Sequence, residues 1–488
     1  MGAEPNVALA TLLKRLEGPL AVVGDRNRIV NAIEIDSRRV KHGALFVALQ
    51  GGHTDGHLHA ADAVANGARV VVVERSVDLP EDVTVVHVAD SRGALSAIAA
   101  AFYGDPSHSL DVIGVTGTNG KTTTTHMIAA VLNAAGIPCG IAGTVGAEFR
   151  TNRWLLENTT PQPPELQRLL ARMRDAGAKA VAVEVSSHAL ALDRVADVRF
   201  RVAALTNVTR DHLDFHETLE AYAAAKRRLF SLAPACVINA DDEYGARWGT
   251  ELRRERAAVI LYGLQNAATL APEEIAVEPN GSRFTVNGQR YQLHLPGRFN
   301  IWNALAAIGV AQLLGIEDAT TARGLGELER VPGRMERFDA GGVAVVVDYA
   351  HTPDALGSAL RSLRETTSGA LAVVFGCGGD RDRGKRPEMG AVAAVFADRL
   401  YVTSDNPRSE NPQGIVDAIV AGIGTRERVV ELDRRRAIER AIAEARSGDV
   451  VLIAGKGHET YQIVGDLVLP FDDAAVAREA LGSRRVLR

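Results

Sequence analysis

GVTGTNGKTTTTH, residues 114–126, decides the reading of this chain. An apolar run, LDVI, leads into it, and a helix-forming stretch, MIAAVLNAAG, leaves it. Glycines let backbone N–H groups turn toward an anion, and a helix N-terminus adds partial positive charge. Gly117, Thr118, Asn119, Gly120, Lys121, Thr122 and Thr123 therefore read as a phosphate loop. Lys121 is placed to reach the β- and γ-phosphates of a nucleotide, and the Thr122 hydroxyl to ligate Mg²⁺. The loop is a variant: the strict pattern needs glycine where the chain has Val115, between Gly114 and Gly117. A nucleotide loop does not name a reaction, since a kinase, a GTPase, a motor and a ligase all fit.

Outward from the loop, strand-like runs alternate with helical stretches. AVAVEV (180–185), VAALTN (202–207) and CVINA (236–240) are separated by segments such as PELQRLLARMRDAG. This predicts a doubly wound, mostly parallel sheet. Upstream, FVAL, AADAVANGA and RVVVVE predict a small α/β unit that ends at a Gly-Asp-Pro breaker. Downstream, VAVVVDYA, ALAVVFG, RLYVTS and DVVLIAG each precede a helical stretch and predict a third, Rossmann-like unit. The fold class is α/β in three domains, expected at 1–108, 109–335 and 336–488. At 488 residues the chain is too long for one core. Hydrophobic content of 46% and charged content of 24% are those of an ordinary globular protein. A net charge of −5 argues against a general nucleic-acid surface. No run reaches transmembrane length, and the N-terminus lacks a signal-peptide core, so no membrane insertion is expected. Cys139, Cys236 and Cys377 lack metal-ligand spacing and read as buried thiols of a reducing cytosol.

Three further stretches carry chemistry. Glu184 ends a buried strand, and Asp211, His212, Asp214 and His216 follow another strand end. Mg²⁺ takes one or two protein carboxylates beside phosphate and water, so Glu184 and His212 are candidate contacts. HTDGHLH (53–59) holds three histidines, but the turn at Gly56 gives them no common face, which argues against a zinc site. DNPRSENP (405–412) follows the strand RLYV. Pro407 fixes its own φ and restricts Asn406, presenting Asn406 and Arg408 in a set geometry. An arginine fork held there suits a carboxylate. Lys226, in the Ala-rich AYAAAKRRLFSL, reads by composition as a solvated surface lysine.

Taken in order, TGTNGKTTTTH, EVSSHAL, NVTRDHLDFH, AAKRRLF, LPGRFNIWNALAA, VPGRMER, VDYAHTPDAL and GKGHE resemble the Mur ligases, ATP-dependent amino-acid ligases of peptidoglycan precursor synthesis. The resemblance covers essentially the whole chain. ENTTP (157–161), DNPRSENP and GKGHE (455–459) resemble the members that add the third amino acid to UDP-N-acetylmuramoyl-L-alanyl-D-glutamate. The resemblance implies a UDP-sugar domain, a central ATPase domain and a C-terminal amino-acid domain. It implies that Lys226 is carbamylated by CO₂ and holds Mg²⁺ with Thr122, Glu184 and His212. Lys121, Lys226, His212 and Glu184 would then be the catalytic set. Asn303 is expected on adenine, Arg334 and Asp348 on ribose or phosphate, and His351 in the ATP pocket. Asn158, Thr159, Thr160, Ser186 and Arg194 are expected on the peptide or sugar end of the substrate, with Ser37 and the His53 loop on its uridine diphosphate.

Members that add meso-diaminopimelate carry DNPR at 405–408. The implied amino-acid pocket is therefore Arg381, Asp405, Asn406, Pro407, a buried Arg408, Gly455 and Glu459, with Glu459 on the distal ammonium. The expectation is a cytoplasmic monomer acting on small molecules, with L-lysine as the alternative amino acid. Folylpolyglutamate synthetase is a rival, but it has no use for about a hundred residues before the loop. The ligase that adds D-alanyl-D-alanine is disfavoured by ENTTP and DNPR. A nucleotide-dependent switch would need no amine pocket.

Overall fold

The computed structural model describes residues 4–486 except 17, 19, 53, 257 and 267, with side chains described to 483. By contact the chain forms two compact units, Met1–Thr116 with Ile137–Ala203 and Ala225–Ala235, and Gly117–Gly136 with Ala204–Ala224 and Cys236–Arg488.

The first unit holds a five-stranded sheet in the order Ala21–Val23, Thr84–His87, Val70–Val73, Ala44–Val47, Ala32–Glu34. All its pairings are parallel except that of Ala21–Val23 with Thr84–His87. ALFV and VVVV bury every residue because both sheet faces are covered, as parallel sheets require. Leu45, Val47, Val70 and Val72 join one core with Leu95, Ile98 and Phe102. Phe46, Val71 and Val73 join another with Val40 and Ala60. The same unit contains Asp111–Thr116, the strand that feeds the glycine loop. It pairs in parallel with Ala180–Glu184, which pairs in parallel with Cys139–Gly143. An antiparallel hairpin, Gly146–Phe149 with Asn152–Trp154, extends that edge.

The second unit carries the loop's helix, Lys121–Ala134, and a six-stranded sheet in the order Glu336–Ala340, Val343–Asp348, Val450–Ala454, Leu371–Phe375, Arg399–Val402, Val429–Val430. This sheet is parallel except for its first pair. Helices Pro353–Thr366, Lys385–Phe396 and Pro412–Ile423 cover one face; Arg434–Glu444 and Asp473–Val486 cover the other. Val450–Ala454 inserts between Val343–Asp348 and Leu371–Phe375. The loops after Phe375, Val402 and Ala454 therefore share one sheet edge, the carboxyl end where ligands bind in open α/β folds.

The mostly parallel α/β class expected from sequence is the one observed. The three-stranded antiparallel sheet Glu273–Glu278, Gly281–Val286, Gln289–Leu293 was not expected, and neither was the hairpin Tyr461–Val464 with Leu467–Pro470. The strands of the first mix charged and polar with apolar residues, and the hairpin is short and largely exposed, so neither reads as a buried parallel strand.

Candidate active site

The glycine loop is built as its residues dictate. Gly117 and Gly120 sit at φ 149° and 88°, in the left-handed region. A Cβ on Gly117 would lie 1.8 Å from Thr206 Oγ1, and one on Gly120 would lie 2.4 Å from Asn303 Oδ1. Between them the loop is pinned by neighbours. Asn119 N donates to Asn207 Oδ1 at 2.9 Å, Thr206 Oγ1 donates to Asn119 O at 2.6 Å, and Thr118 N donates to Asn207 O at 2.8 Å. Lys121 opens the helix and folds back on the loop, donating to Gly117 O at 2.9 Å and Thr118 O at 2.8 Å. The buried Thr122 hydroxyl accepts from Arg334 Nη2 at 2.9 Å.

Arg334 also lies 4.4 Å over the Tyr349 ring. Asp348 accepts from Met335 N and Ala350 N, and burial raises its carboxyl against the pull of Arg334. His351 stacks edge-on to Tyr349, and burial, helped by Lys385, pushes its imidazole down to about 4. Asn303 is buried; its amide accepts from Thr124 Oγ1 and donates to Asn300 Oδ1. His212 has a left-handed backbone, φ 53°, and a half-exposed ring 3.4 Å from Asp211. Burial alone would raise the Asp211 carboxyl, but His212, His351, Lys385 and Lys121 outweigh it and hold the carboxyl below its ordinary range. Lys121, Thr122, Arg334, Asp348, His351 and Asn303 thus gather in the second unit, as expected together from sequence.

In the first unit, Glu184 ends its strand fully buried. Its Oε1 accepts from Thr144 N and its Oε2 from Thr144 Oγ1, each at 3.0 Å. Thr144 Oγ1 also bonds Thr159 Oγ1 at 3.0 Å. Thr160 Oγ1 donates to Glu184 O at 2.7 Å and accepts from Ser186 N at 3.0 Å, and Arg194 Nη1 donates to Thr160 O at 3.0 Å. Thr159, Thr160, Glu184, Ser186 and Arg194 are therefore one hydrogen-bonded network. Thr144, which ties it together, was missed in the sequence. The signal available was a Gly-Thr pair at the end of a parallel strand. Beside this network a cavity of about 460 Å³ is lined by Asp36, Arg39, Lys41, Glu157, Asn158 and Arg168, among others. Ser37 is buried next to Asp36, at the start of a short 3₁₀ turn. His53 lies outside the described residues. His57 is consumed locally, with Nδ1 on Asp55 at 2.7 Å and Nε2 accepting from Glu74 N.

Lys226 overturns the compositional reading. It lies in the last turn of the helix Leu219–Arg227 and is 1% exposed, not solvated. The helix is Ala-rich on the face that packs, and Lys226 shares that face with Tyr222 and Ala223 at helical spacing.

The third cluster is the sheet edge of the second unit. Asp405 and Asn406 are buried. Asn406 Oδ1 accepts from Lys456 Nζ and Ile463 N, both at 3.0 Å, and its Nδ2 donates to Glu459 Oε2 at 2.9 Å. Gly455, at φ 120°, admits the Asp405 carboxylate, whose Oδ2 would lie 2.5 Å from a Cβ there. Gly379 N donates to the Asn406 carbonyl at 2.9 Å, joining the GGDRD loop to the turn. Arg408 corrects one expectation: it is half-buried, not buried. The hairpin covers its backbone only, through Arg408 N to Ile463 O at 3.1 Å and Gly465 N to Arg408 O at 2.8 Å. These bonds hold Arg408 at φ 52°, and its Nη1 donates to Gly379 O at 2.9 Å. Arg381 is exposed on the neighbouring loop. Two supports were missed in the sequence. Arg386 grips Glu410 with both Nη atoms, and fully buried Arg434 pairs with Asp473 while donating to Ala454 O and Ser404 O. Neither could be found without knowing which loops meet.

Three family models match in chain order: "Mur ligase family, catalytic domain" over 29–103, "Mur ligase middle domain" over 115–311, and "Mur ligase, glutamate ligase domain" over 333–457. The UDP-N-acetylmuramoyl-L-alanyl-D-glutamate–2,6-diaminopimelate ligase of Syntrophomonas wolfei is 44% identical over 97% of this chain and 99% of its own. That of Gloeobacter violaceus is 46% identical over 96% and 99%. A solved structure of a ligase of the same name aligns over 99% of this chain and all of its own, at 33% identity and a TM-score of 0.69. With its three-part match and full-length relatives, the chain belongs to the Mur ligase family.

Proposed function

We propose that this chain is the ATP-dependent ligase that joins meso-2,6-diaminopimelate to UDP-N-acetylmuramoyl-L-alanyl-D-glutamate, in peptidoglycan precursor synthesis. One observation carries the choice of amino acid. A guanidinium and a carboxylate, Arg408 and Glu459, are both bonded to Asn406 at the carboxyl edge of a parallel sheet. Such a pair complements a carbon that bears both a carboxylate and an ammonium. The far end of diaminopimelate is such a carbon; the far end of lysine is an ammonium alone. The full-length relatives named for this reaction support the same choice.

The proposed domains are 1–108, 109–335 and 336–488; two family segments fall inside the first two, and the third, 333–457, begins three residues before the last boundary. The γ-carboxylate of the D-glutamyl residue attacks the γ-phosphorus of ATP and gives an acyl phosphate and ADP. The amine of diaminopimelate then attacks the acyl carbon, phosphate leaves, and an amide remains. Both partners of the first step are anions, so cations must screen them. Lys121 does this by exchanging the carbonyls of Gly117 and Thr118 for phosphate oxygens. The loop Gly117–Thr123 cradles the phosphates, with the N–H groups of Gly120 to Thr123 as donors, since those of Thr118 and Asn119 are bonded to Asn207. Arg334 and Asp348 take ribose or phosphate, Asn303 takes adenine, and His351 lines the pocket.

Asn158, Thr159, Thr160, Ser186 and Arg194 hold the dipeptide or sugar, with Ser37 and His53 on the uridine diphosphate. Mg²⁺, when bound, neutralises charge on the phosphates. Thr122, Glu184, His212 and a CO₂-derived carbamate on Lys226 are the residues assigned to it. The fit is supported by a buried hydroxyl and a buried carboxylate as hard oxygen donors, and by the burial of Lys226, which as a carbamate becomes an anion. Arg381, Asp405, Asn406, Pro407, Arg408, Gly455 and Glu459 form the amino-acid pocket. No helix among the described residues is long and apolar enough to cross a membrane, which fits a cytoplasmic enzyme; we take it to act as a monomer on small molecules, without nucleic acid.

The test is phosphate release and product mass with ATP, Mg²⁺, the UDP-dipeptide and each amino acid. A tripeptide product with diaminopimelate supports the reading. Phosphate release without an amine, or a product only with lysine, contradicts it.

A further inference from the structure

Lys456 is 0% exposed, yet its ammonium is not tied to any phosphate or substrate role above. It donates to Glu459 Oε2 and Asn406 Oδ1, each at 3.0 Å, and lies 5.6 Å from the centre of the Tyr461 ring. Asn406 Nδ2 closes the triangle on the same Glu459 oxygen at 2.9 Å. Two donors thus converge on Oε2, while Oε1 of Glu459 takes no hydrogen bond from the described residues. The Asn406 amide is locked as well, because its Oδ1 faces two donors, Lys456 Nζ and Ile463 N. A buried charge of this kind is retained only if it is paired, and removing it leaves its partner uncompensated.

We infer that Lys456 is a positioning and specificity-determining residue, whose buried ammonium aims Glu459 and sets the charge of the amino-acid pocket. This rests on the pocket proposed above. Lys456 is fully buried against Glu459, while Arg408 is half-buried near Asp380 and Arg381 is exposed. Removing Lys456 makes the pocket one charge less positive. Diaminopimelate with its attacking amine neutral carries one net negative charge, whereas lysine in that state carries none. A pocket one charge less positive disfavours diaminopimelate relative to lysine.

The experiment is steady-state kinetics of Lys456→Met and Lys456→Gln, varying diaminopimelate, lysine, ATP and the UDP-dipeptide in turn. KM for diaminopimelate rises about 10- to 100-fold, the loss of a charged hydrogen bond, while kcat stays within about threefold. KM for ATP and for the UDP-dipeptide does not move, and the diaminopimelate-to-lysine ratio of kcat/KM falls at least about tenfold. Adding Glu459→Gln to Lys456→Met restores the charge of the wild-type pocket, so that ratio recovers although affinity does not. A packing role alone would leave the ratio unmoved by the second change. If neither single variant folds, Glu459→Gln by itself reads the same pair from its other side, and the ratio must rise. The inference is overturned by a folded Lys456 variant with wild-type KM and ratio, by an equal rise in all KM values, or by a fall of the ratio in Glu459→Gln. A wild type that forms no diaminopimelate amide overturns the underlying reading instead.

Discussion

The glycine loop at 114–126 and the proline turn at 405–408 both follow the carboxyl end of a parallel strand and both present a cation, but they are built in opposite ways. The loop is shaped by absence. Gly117 and Gly120 pass against Thr206 and Asn303 where a side chain would collide, and the backbone is left to face an anion. The turn is shaped by presence. Arg408 is held in a left-handed conformation by hairpin backbone bonds, and the turn is clamped from its other side by Glu410 on Arg386 and by Ser409 on Asp380. A left-handed non-glycine residue costs of order 1 kcal/mol and persists only when its surroundings impose it. The difference teaches that the glycine loop takes its shape from one contiguous stretch pinned by Thr206 and Asn207, whereas the proposed amino-acid pocket needs several loops to agree.

The largest expected effect is on the loop. Lys121→Ala lowers the rate of amide formation by about 10³-fold or more, because no other residue of the loop offers a cation to the transferring phosphate. Affinity for the UDP-dipeptide, measured by calorimetry, stays within about threefold. Near-normal turnover would remove the loop from the chemistry. Lys226→Ala comes next, with a loss of about 10²- to 10³-fold if a carbamate helps hold Mg²⁺. Short carboxylic acids restore part of that rate. An unchanged rate would leave the buried lysine a purely structural group.

The turn is broken from beneath by Arg434→Met, which strands the buried Asp473 carboxylate. Denaturant unfolding should show a loss of about 3–5 kcal/mol, and Arg434→Met with Asp473→Leu should recover most of it. A stable single variant would mean that the turn does not depend on this pair. The smallest effect is on pH. Hydrogen bonds from Arg386 pull the Glu410 carboxyl from an ordinary 4.5 down to about 2. Because the folded value is depressed, its contribution is fully present above 4.5 and is lost as pH falls toward 2. Wild type should therefore lose stability over that window, and Glu410→Gln should be flatter there. Parallel curves would show that the clamp adds nothing.

The same contrast explains what was legible in the sequence. The glycine loop was readable residue by residue, since strand, glycines, lysine and helix are contiguous. The α/β class was readable too, because buried parallel strands announce themselves as unbroken apolar runs such as VAVVVD and VVLIA. Lys226 was not: burial of one helical lysine depends on what packs against it, and composition pointed to solvent. Thr144 and Arg434 were invisible for the same reason, as they act through partners 15 to 40 residues away in the chain, and Lys456 joins its near neighbour Glu459 to Asn406, 50 residues away. The hairpin at 461–470, which holds Arg408, has apolar strands, YQIV and LVLP, that are largely exposed, so their apolarity did not mark a buried strand. The half-burial of Arg408 also tempers the selectivity that a buried arginine would give, since water partly compensates a missing carboxylate.

The most direct test is kcat/KM for meso-diaminopimelate and L-lysine on wild type and on Arg408→Ala, with ATP and the UDP-dipeptide saturating. Wild type should prefer diaminopimelate by about 10²-fold, and Arg408→Ala should lose roughly 10- to 100-fold on diaminopimelate, chiefly through KM, while lysine changes little. A wild type that prefers lysine, or a variant that keeps the full preference for diaminopimelate, would contradict the account.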